Sequence, residues 1–145
     1  MCDYCDCRSQ PEIAELSEEH IRLLALTAKV RRAVVEDVEQ VSELLDEIAT
    51  LLDGHTAREE RGVFHALRQE HVPEEYVELF EHDHARIDEL LTEIRLRGGD
   101  VLELIRLVED HVHREETDMY PAAHQLLTPA DWDALAGTAG RAVTH

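Results

Sequence analysis

Two similar hexapeptides share the pattern His-x-x-Arg-Glu-Glu: His55-Thr56-Ala57-Arg58-Glu59-Glu60 and His111-Val112-His113-Arg114-Glu115-Glu116. Each copy is followed by an aromatic residue at the same offset, Phe64 or Tyr120. Each copy is also preceded by a related pentapeptide, Glu19-His20-Ile21-Arg22-Leu23 or Asp83-His84-Ala85-Arg86-Ile87. The second half of the chain therefore echoes the first, which indicates two matching hairpins.

The residues around these repeats recur at the spacing of packed helices. In the third of four such stretches, one face carries Val77, Phe80, His84, Ile87, Leu91 and Ile94. These steps of three and four are typical of helices in a bundle. Short connections favour antiparallel neighbours. We therefore expect an all-α, up-down-up-down four-helix bundle.

Local signals predict where the helices begin and end. We expect Ser17 to cap the first helix and a capping box of Asp37 and Gln40 to begin the second, which runs to about Leu67–Glu70. The remaining signals are Pro73 before the third helix, Arg97–Asp100 before the fourth, Pro121 at its end or kink, and Thr128-Pro129 before a short fifth helix through Leu135. The predicted parts are a Cys-containing segment (1–15), the bundle (16–122), and a short helix with a loose tail (123–145).

Composition excludes several classes of protein. The 145 residues carry 33 Asp and Glu against 14 Lys and Arg, a formal charge of -19. Such an acidic chain lacks the basic surface that nucleic acids or anionic lipids need. It has no apolar run of about 18 residues and no signal-peptide pattern at Met1–Tyr4. We therefore expect a cytoplasmic protein that binds neither nucleic acid nor membrane.

Four of the ten histidines lie on the apolar helix faces, one per predicted helix: His20, His55, His84 and His111. Glu59 and Glu115 follow two of them by four residues, which places each carboxylate on the same face as its histidine. Helix rise brings all six side chains to one level of the core. The other six histidines are expected at the surface or in tails: His65, His71, His82, His113, His124 and His145.

A single histidine on an apolar face is usually a hydrogen-bonded core residue, but the six polar residues together favour a metal site. Two buried carboxylates without compensation would cost several kcal/mol, and a metal removes that penalty. Six N and O ligands without thiolate suit iron or manganese better than structural zinc. Because each carboxylate can bridge two metals, the set can hold a dinuclear centre.

This order of histidines and HxxxE motifs, from Ser17 to Tyr120, resembles the hemerythrin (HHE cation-binding) domain family. The resemblance implies a hemerythrin-like bundle with two iron ions in an oxo- or hydroxo-bridged di-iron centre. It makes His20, His55, His84 and His111 terminal ligands, and Glu59 and Glu115 bridges. It also implies a small diatomic or peroxide ligand and a redox partner that the sequence does not identify.

The chain departs from the oxygen-carrying members of the family at Phe80, where those proteins have a further histidine. One metal would lose an imidazole, which favours sensing or reaction with O2, peroxide or nitric oxide over reversible O2 transport. Glu60 and Glu116 are candidates for additional ligands, or are exposed second acids. Tyr120 is a candidate ligand or hydrogen-bond donor, or closes the apolar wall with Phe64.

A second chemical feature is the cysteine cluster of Cys2, Cys5 and Cys7. Thiolates this close can share a metal or cycle between dithiol and disulfide, and the alternative is a tail with exposed thiols. For the whole protein we expect a di-iron protein that binds O2, peroxide or nitric oxide; as an enzyme it would be an oxidoreductase. The alternatives are an iron-responsive sensor module whose folding and partner binding depend on metal, and a metal-free bundle.

Overall fold

The fold is all helical, as the sequence predicts. The computed structural model describes the backbone of residues 10–143 and the side chains of residues 10–136, and this part of the chain contains no β-strand. Its helices are α1 (Pro11–Glu36), α2 (Val38–Arg61), α3 (Val63–Gln69), α4 (Glu74–Arg97), α5 (Val101–Arg114), a π-helical turn (Glu115–Met119), α6 (Tyr120–Leu126) and α7 (Pro129–Val143).

Three predicted boundaries are confirmed. Asp37 separates α1 from α2, and Pro73 directly precedes α4. The turn between α4 and α5 uses Gly98 at a φ of 80°, a left-handed conformation that glycine adopts without strain. The Asp100 side chain then accepts a hydrogen bond from the Glu103 amide at 3.1 Å, which caps α5.

Two predicted helix caps are wrong. The first helix begins at Pro11, because proline suits the first turn of a helix. Ser17 therefore lies inside α1, where its hydroxyl donates to Glu116 Oε2 at 2.8 Å. The capping box at Asp37 does not form, since Asp37 caps α2 through its backbone carbonyl, which accepts from the Gln40 amide at 3.0 Å.

The structure also changes the extent of three predicted helices. The second is interrupted at Gly62 between α2 and α3. The fourth does not end at Tyr120, because a π-helical turn precedes Pro121 and α6 continues to Leu126. Proline needs no amide partner early in α6. The fifth continues beyond Leu135 to Val143, so its backbone is helical where a loose tail was expected.

Two apolar clusters occupy the core on either side of a polar layer. One cluster includes Ile13 and Leu16 of α1 together with residues of α3, α6 and the start of α4. The other includes Leu23 and Val30 of α1 together with residues of α2, α4 and α5. His20 lies between the two sets along α1, and is buried. The polar residues on the helix faces therefore share one layer.

Four helices surround this layer. α1 contacts both α2 and α5, and α4 contacts the same two helices from the other side. α7 packs on α1, and α3 packs on α4 and α6. No helix in the described part of the chain combines the length and apolar character needed to cross a membrane.

Candidate metal centre

The six side chains predicted as ligands meet in one buried cluster, which we call the centre: His20, His55, Glu59, His84, His111 and Glu115. His84 is the most exposed of them, at 7%. Their ligand atoms form two groups of four, each with all atoms within 4.8 Å of one another. One group contains His20 and His55, the other contains His84 and His111, and both contain Glu59 and Glu115.

Each histidine directs its Nε2 atom toward these two glutamates. His20 Nε2 lies 2.9 Å from Glu115 Oε1, and His55 Nε2 lies 3.3 Å from Glu59 Oε1. His84 Nε2 lies 3.1 Å from Glu59 Oε1, and His111 Nε2 lies 3.1 Å from Glu115 Oε2. Four nitrogen lone pairs and two carboxylates therefore converge, with both glutamates central.

Each histidine holds its other ring nitrogen, Nδ1, against a carboxylate outside the centre. The four pairs are His20–Glu116 at 2.7 Å, His55–Glu19 at 2.8 Å, His84–Glu60 at 2.9 Å and His111–Asp83 at 3.1 Å. An N–H on Nδ1 that donates to a carboxylate leaves the Nε2 lone pair free to bind metal. The same bonds fix the orientation of each ring.

Two of these outer carboxylates are themselves held by arginine. Arg58 donates to Glu19 at 2.8 Å, and Arg114 donates to Asp83 at 2.5 Å. Arg58 and Arg114 occupy the same position in the two hexapeptides. The repeat in the sequence therefore encodes the supports of the histidines as well as the histidines.

Tyr120 lies at the edge of the centre and is fully buried. Its hydroxyl donates to Glu59 Oε2 at 2.8 Å, and its ring stacks on His20 with centroids 5.3 Å apart. Phe64, the residue that corresponds to Tyr120 in the repeat, stacks on His84 at 5.5 Å. The predicted aromatic wall is therefore present, and only one of its two rings carries a hydrogen-bond donor.

Three buried atoms of the centre make no hydrogen bond with the described residues: His55 Nε2, Glu59 Oε1 and Glu115 Oε2. Buried polar atoms are nearly always hydrogen-bonded, so each exception calls for a partner. All three are nitrogen or carboxylate oxygen atoms that face one another, which is the donor set of a hard or borderline metal cation. The residues present therefore fit a metal-binding role.

The pKa shifts within the centre also indicate that its carboxylates are stabilised by positive charge. Burial opposes charge on His84, but the neighbouring carboxylates of Glu115 and Glu59 raise its pKa to about 10. Burial likewise opposes charge on His111, but the charge of Glu115 raises its pKa to about 9. The pKa of Glu115 is held well below its ordinary value, because His111 and other histidines outweigh the effect of burial. Without metal, protonated His84 and His111 thus compensate the charge of Glu115.

The structure shows what the additional ligand candidates contact in the absence of metal. Glu60 and Glu116 contact the Nδ1 atoms of His84 and His20, and Tyr120 is a hydrogen-bond donor to Glu59. Sequence reasoning missed Glu19 and Asp83 as supports. The sequence feature that could have identified them is their position directly before His20 and His84 in the pentapeptide repeat.

The remaining candidates lie away from the centre. His65, His71, His82 and His113 are exposed as predicted, and His124 is partly buried. Cys2, Cys5, Cys7 and His145 fall outside the described residues. Phe80 is buried with Phe64 and Tyr76 in contact with its ring, so the position one turn before His84 contributes to the apolar wall instead of an imidazole.

Comparisons with known proteins identify one family. The family model described as the Hemerythrin HHE cation binding domain matches residues 12–123. This range covers most of the chain and includes all six residues of the centre. A search of curated proteins and a search of solved structures each gave no significant match.

Proposed function

The chain belongs to the hemerythrin HHE cation-binding domain family, and from that premise we propose that it is a non-haem di-iron protein that binds or reacts with O2, peroxide or nitric oxide. The observation that carries the proposal is the sharing of Glu59 and Glu115 between two groups of four potential ligands. A carboxylate has two oxygens and can bridge two ions. The arrangement therefore supports two metals side by side, each with two histidines.

We propose iron as the metal that this donor set holds. All six side chains offer nitrogen or oxygen, and no thiolate lies among the described residues of the centre. Structural zinc prefers four ligands, often with cysteine, whereas imidazole and carboxylate together suit iron or manganese. Held by these residues, two irons would supply the electron-transfer chemistry with a small molecule at the centre.

We further propose that α1, α2, α4 and α5 run up, down, up and down. The order of the apolar clusters along the helices supports this. α1 and α4 pass from the cluster of Ile13 to that of Leu23. α2 and α5 lie along the cluster of Leu23 and lead into α3 and into the π-helical turn with α6, which belong to the cluster of Ile13. The lateral pairs agree, since Arg58, late in α2, binds Glu19, early in α1.

The protein's own residues orient the ligands and exclude water. The four carboxylates on Nδ1 hold the imidazoles with Nε2 inward. Tyr120 orients Glu59 by donating to Oε2. The apolar clusters above and below the layer keep bulk water away, which protects reactive species from side reactions.

The proposed reaction class follows from Phe80. With a buried phenylalanine one turn before His84, the half of the centre held by His84 and His111 offers two imidazoles and the shared glutamates. This half therefore has one imidazole fewer than in the oxygen-carrying members of the family, which leaves one more coordination position for an incoming molecule. We therefore favour redox reaction or sensing over reversible O2 transport; an enzyme of this kind would be an oxidoreductase acting on peroxide or nitric oxide.

The test is a visible spectrum of the iron-loaded protein during titration with peroxide or nitric oxide. We expect a new absorption band that disappears on reduction or ligand removal. A spectrum that does not change with O2, peroxide or nitric oxide, in protein shown to contain two irons per chain, would contradict the proposal.

A second candidate is an iron-responsive module that signals through its folding. It is favoured by the three buried atoms without hydrogen bonds, because their desolvation makes the metal a source of folding energy. Such a module would lose its helical structure when iron is removed and would show little spectral response to peroxide or nitric oxide.

A further inference from the structure

The two halves of the centre have clefts of different size beside them. The cleft between α2 and α4 is lined by His84, Glu60, Thr56, Ala85 and Asp88 among others, and has a volume of about 440 Å³. We call it the His84 cleft. The cleft between α1 and α5 is lined by His20, Glu116, Val112, Ile21 and Leu24 among others, and has a volume of about 150 Å³. We call it the His20 cleft.

The sequence repeat aligns wall residues of one cleft with wall residues of the other. When His20 is aligned with His84, Ile21 corresponds to Ala85 and Leu24 corresponds to Asp88. The His20 cleft is thus lined by two branched apolar side chains where the His84 cleft has a methyl group and a carboxylate. This difference in side-chain volume accounts for the larger opening beside His84.

The carboxylates that support the two histidines show the same asymmetry. Glu116 is 10% exposed and accepts a second hydrogen bond from Ser17. Glu60, its counterpart, is 42% exposed, and the residue that corresponds to Ser17 is Glu81, which binds Arg68 instead. Glu116 is therefore held beneath the surface by two hydrogen bonds, whereas Glu60 lies at the mouth of the His84 cleft.

The aromatic residues inside the centre differ in the same sense. On the His20 side, the Tyr120 hydroxyl lies 2.8 Å from Glu59 Oε2 and 3.4 Å from His20 Nε2. On the His84 side, Phe64 has no hydroxyl to place there. The His20 half is therefore covered from inside by a hydrogen-bonded phenol, and the His84 half is not.

We propose that the His84 cleft is the route by which a small uncharged ligand reaches the centre, and that it delivers the ligand to the half held by His84 and His111. The inference rests on the proposed function. The walls carry the carboxylates of Asp53, Glu60 and Asp88 against the guanidinium of Arg95, while the charge of Glu81 is offset by Arg68. The net negative field of the walls disfavours anions, so nitric oxide or hydrogen peroxide suits the route better than azide.

The first experiment exchanges the walls of the two clefts. The closing variant, A85I with D88L, copies the His20 cleft into α4; the control variant, I21A with L24D, makes the reverse exchange in α1. All four positions are exposed or partly exposed, so both proteins should fold and load iron. Stopped-flow absorbance measures the association rate of nitric oxide with the reduced, iron-loaded protein.

We expect the closing variant to bind nitric oxide about tenfold more slowly, because entry then requires a conformational opening. The control variant should bind at least as fast as the unaltered protein. Association at the unaltered rate in the closing variant would overturn the route, and so would equal slowing in both variants.

A second experiment uses metal-free protein and so separates the route from the iron chemistry. Leu52 and Val112 are both buried and line the His84 and His20 clefts respectively. Under dissolved O2, paramagnetic relaxation of the Leu52 methyl groups should exceed that of the Val112 methyl groups, and the excess should vanish in the closing variant. Equal relaxation of the two would overturn the route. If the excess is present while the iron protein ignores nitric oxide, the proposed function fails and the route stands.

Discussion

The four histidines of the centre each combine two contacts, one through each ring nitrogen. Nε2 faces the shared glutamates, and Nδ1 meets a carboxylate from a different helix. The supporting acids come from positions directly beside the ligands in the sequence, such as Glu19 before His20 and Glu60 after Glu59. Each short motif therefore supplies a ligand to the centre and a support for a neighbouring ligand.

Replacing one support should weaken metal binding without removing a ligand. Asp83→Asn keeps the shape of the side chain but removes the charge that holds His111 Nδ1 at 3.1 Å. Loss of such a support typically costs about 10- to 100-fold in metal affinity. A competition titration of Fe²⁺ against a chelator measures it. Glu89→Gln, at an exposed acid of the same helix, should leave the affinity unchanged; equal affinities in both variants would contradict a supporting role for Asp83.

Among the described residues, Tyr76 and Tyr120 each donate to a carboxylate, and they provide a matched test of how burial affects the contribution of such a bond. Tyr120→Phe removes a buried hydroxyl that donates to Glu59, and should lower the unfolding free energy of the metal-free protein by about 2 kcal/mol. Tyr76→Phe removes the bond from a more exposed hydroxyl to Asp118, and should cost less than about 1 kcal/mol. Urea denaturation gives both values. A larger loss at Tyr76 would show that Tyr120 is not a support of Glu59.

At the scale of the helices, sequence periodicity predicted which faces are buried, but local signals were less dependable. The face of the third predicted helix is buried along α4, from Val77 to Ile94. The boundary at Asp37 is confirmed. It was predictable because the break had to fall between the long apolar faces of the first two helices. The Ser17 cap is wrong because its hydroxyl meets Glu116, ninety-nine residues away, and no local pattern reports such a tertiary partner.

Gly62, where α2 and α3 are separated, has no room for a side chain. A Cβ atom at Gly62 would lie 2.8 Å from the Arg58 carbonyl oxygen and 3.1 Å from Leu135 Cδ2, whereas one at Gly54 would meet nothing within 4 Å. We expect Gly62→Ala to destabilise the protein by about 1–3 kcal/mol.

Gly54→Ala, in the middle of α2, is the control for that substitution. It should stabilise the protein by about 0.5–1 kcal/mol, because alanine favours a helix more than glycine does. Chemical denaturation of both variants measures the difference. Stabilisation by Gly62→Ala would mean that the helix can continue through this position and that the gap between α2 and α3 is not enforced by packing.

At the scale of the whole molecule, the chain has a charge of -19 and ten histidines. Only a small part of its polar residues lies in the one buried layer that forms the centre. The identity of the six central residues was predictable, because they are polar at positions where the helical period demands apolar side chains. The asymmetry between the His20 and His84 halves was not, because it depends on how Ile21, Ala85 and the aromatic rings fill space between helices.

Removal of metal should loosen the molecule without unfolding it. A chelator takes away the cations that bind Glu59 and Glu115, so we expect the thermal unfolding midpoint to fall by several °C. The two apolar clusters remain, and the far-ultraviolet circular dichroism at 25 °C should stay helical. An unchanged midpoint after complete removal of iron would indicate that the centre does not hold the metal.

The central claim, that Glu59 and Glu115 hold two irons between four histidines, is tested most directly by elemental analysis of protein produced with ample iron. We predict about two irons per chain, retained in His82→Ala, at an exposed histidine of α4, and reduced in His84→Ala. One zinc per chain with no iron, or full iron content in His84→Ala, would contradict the claim.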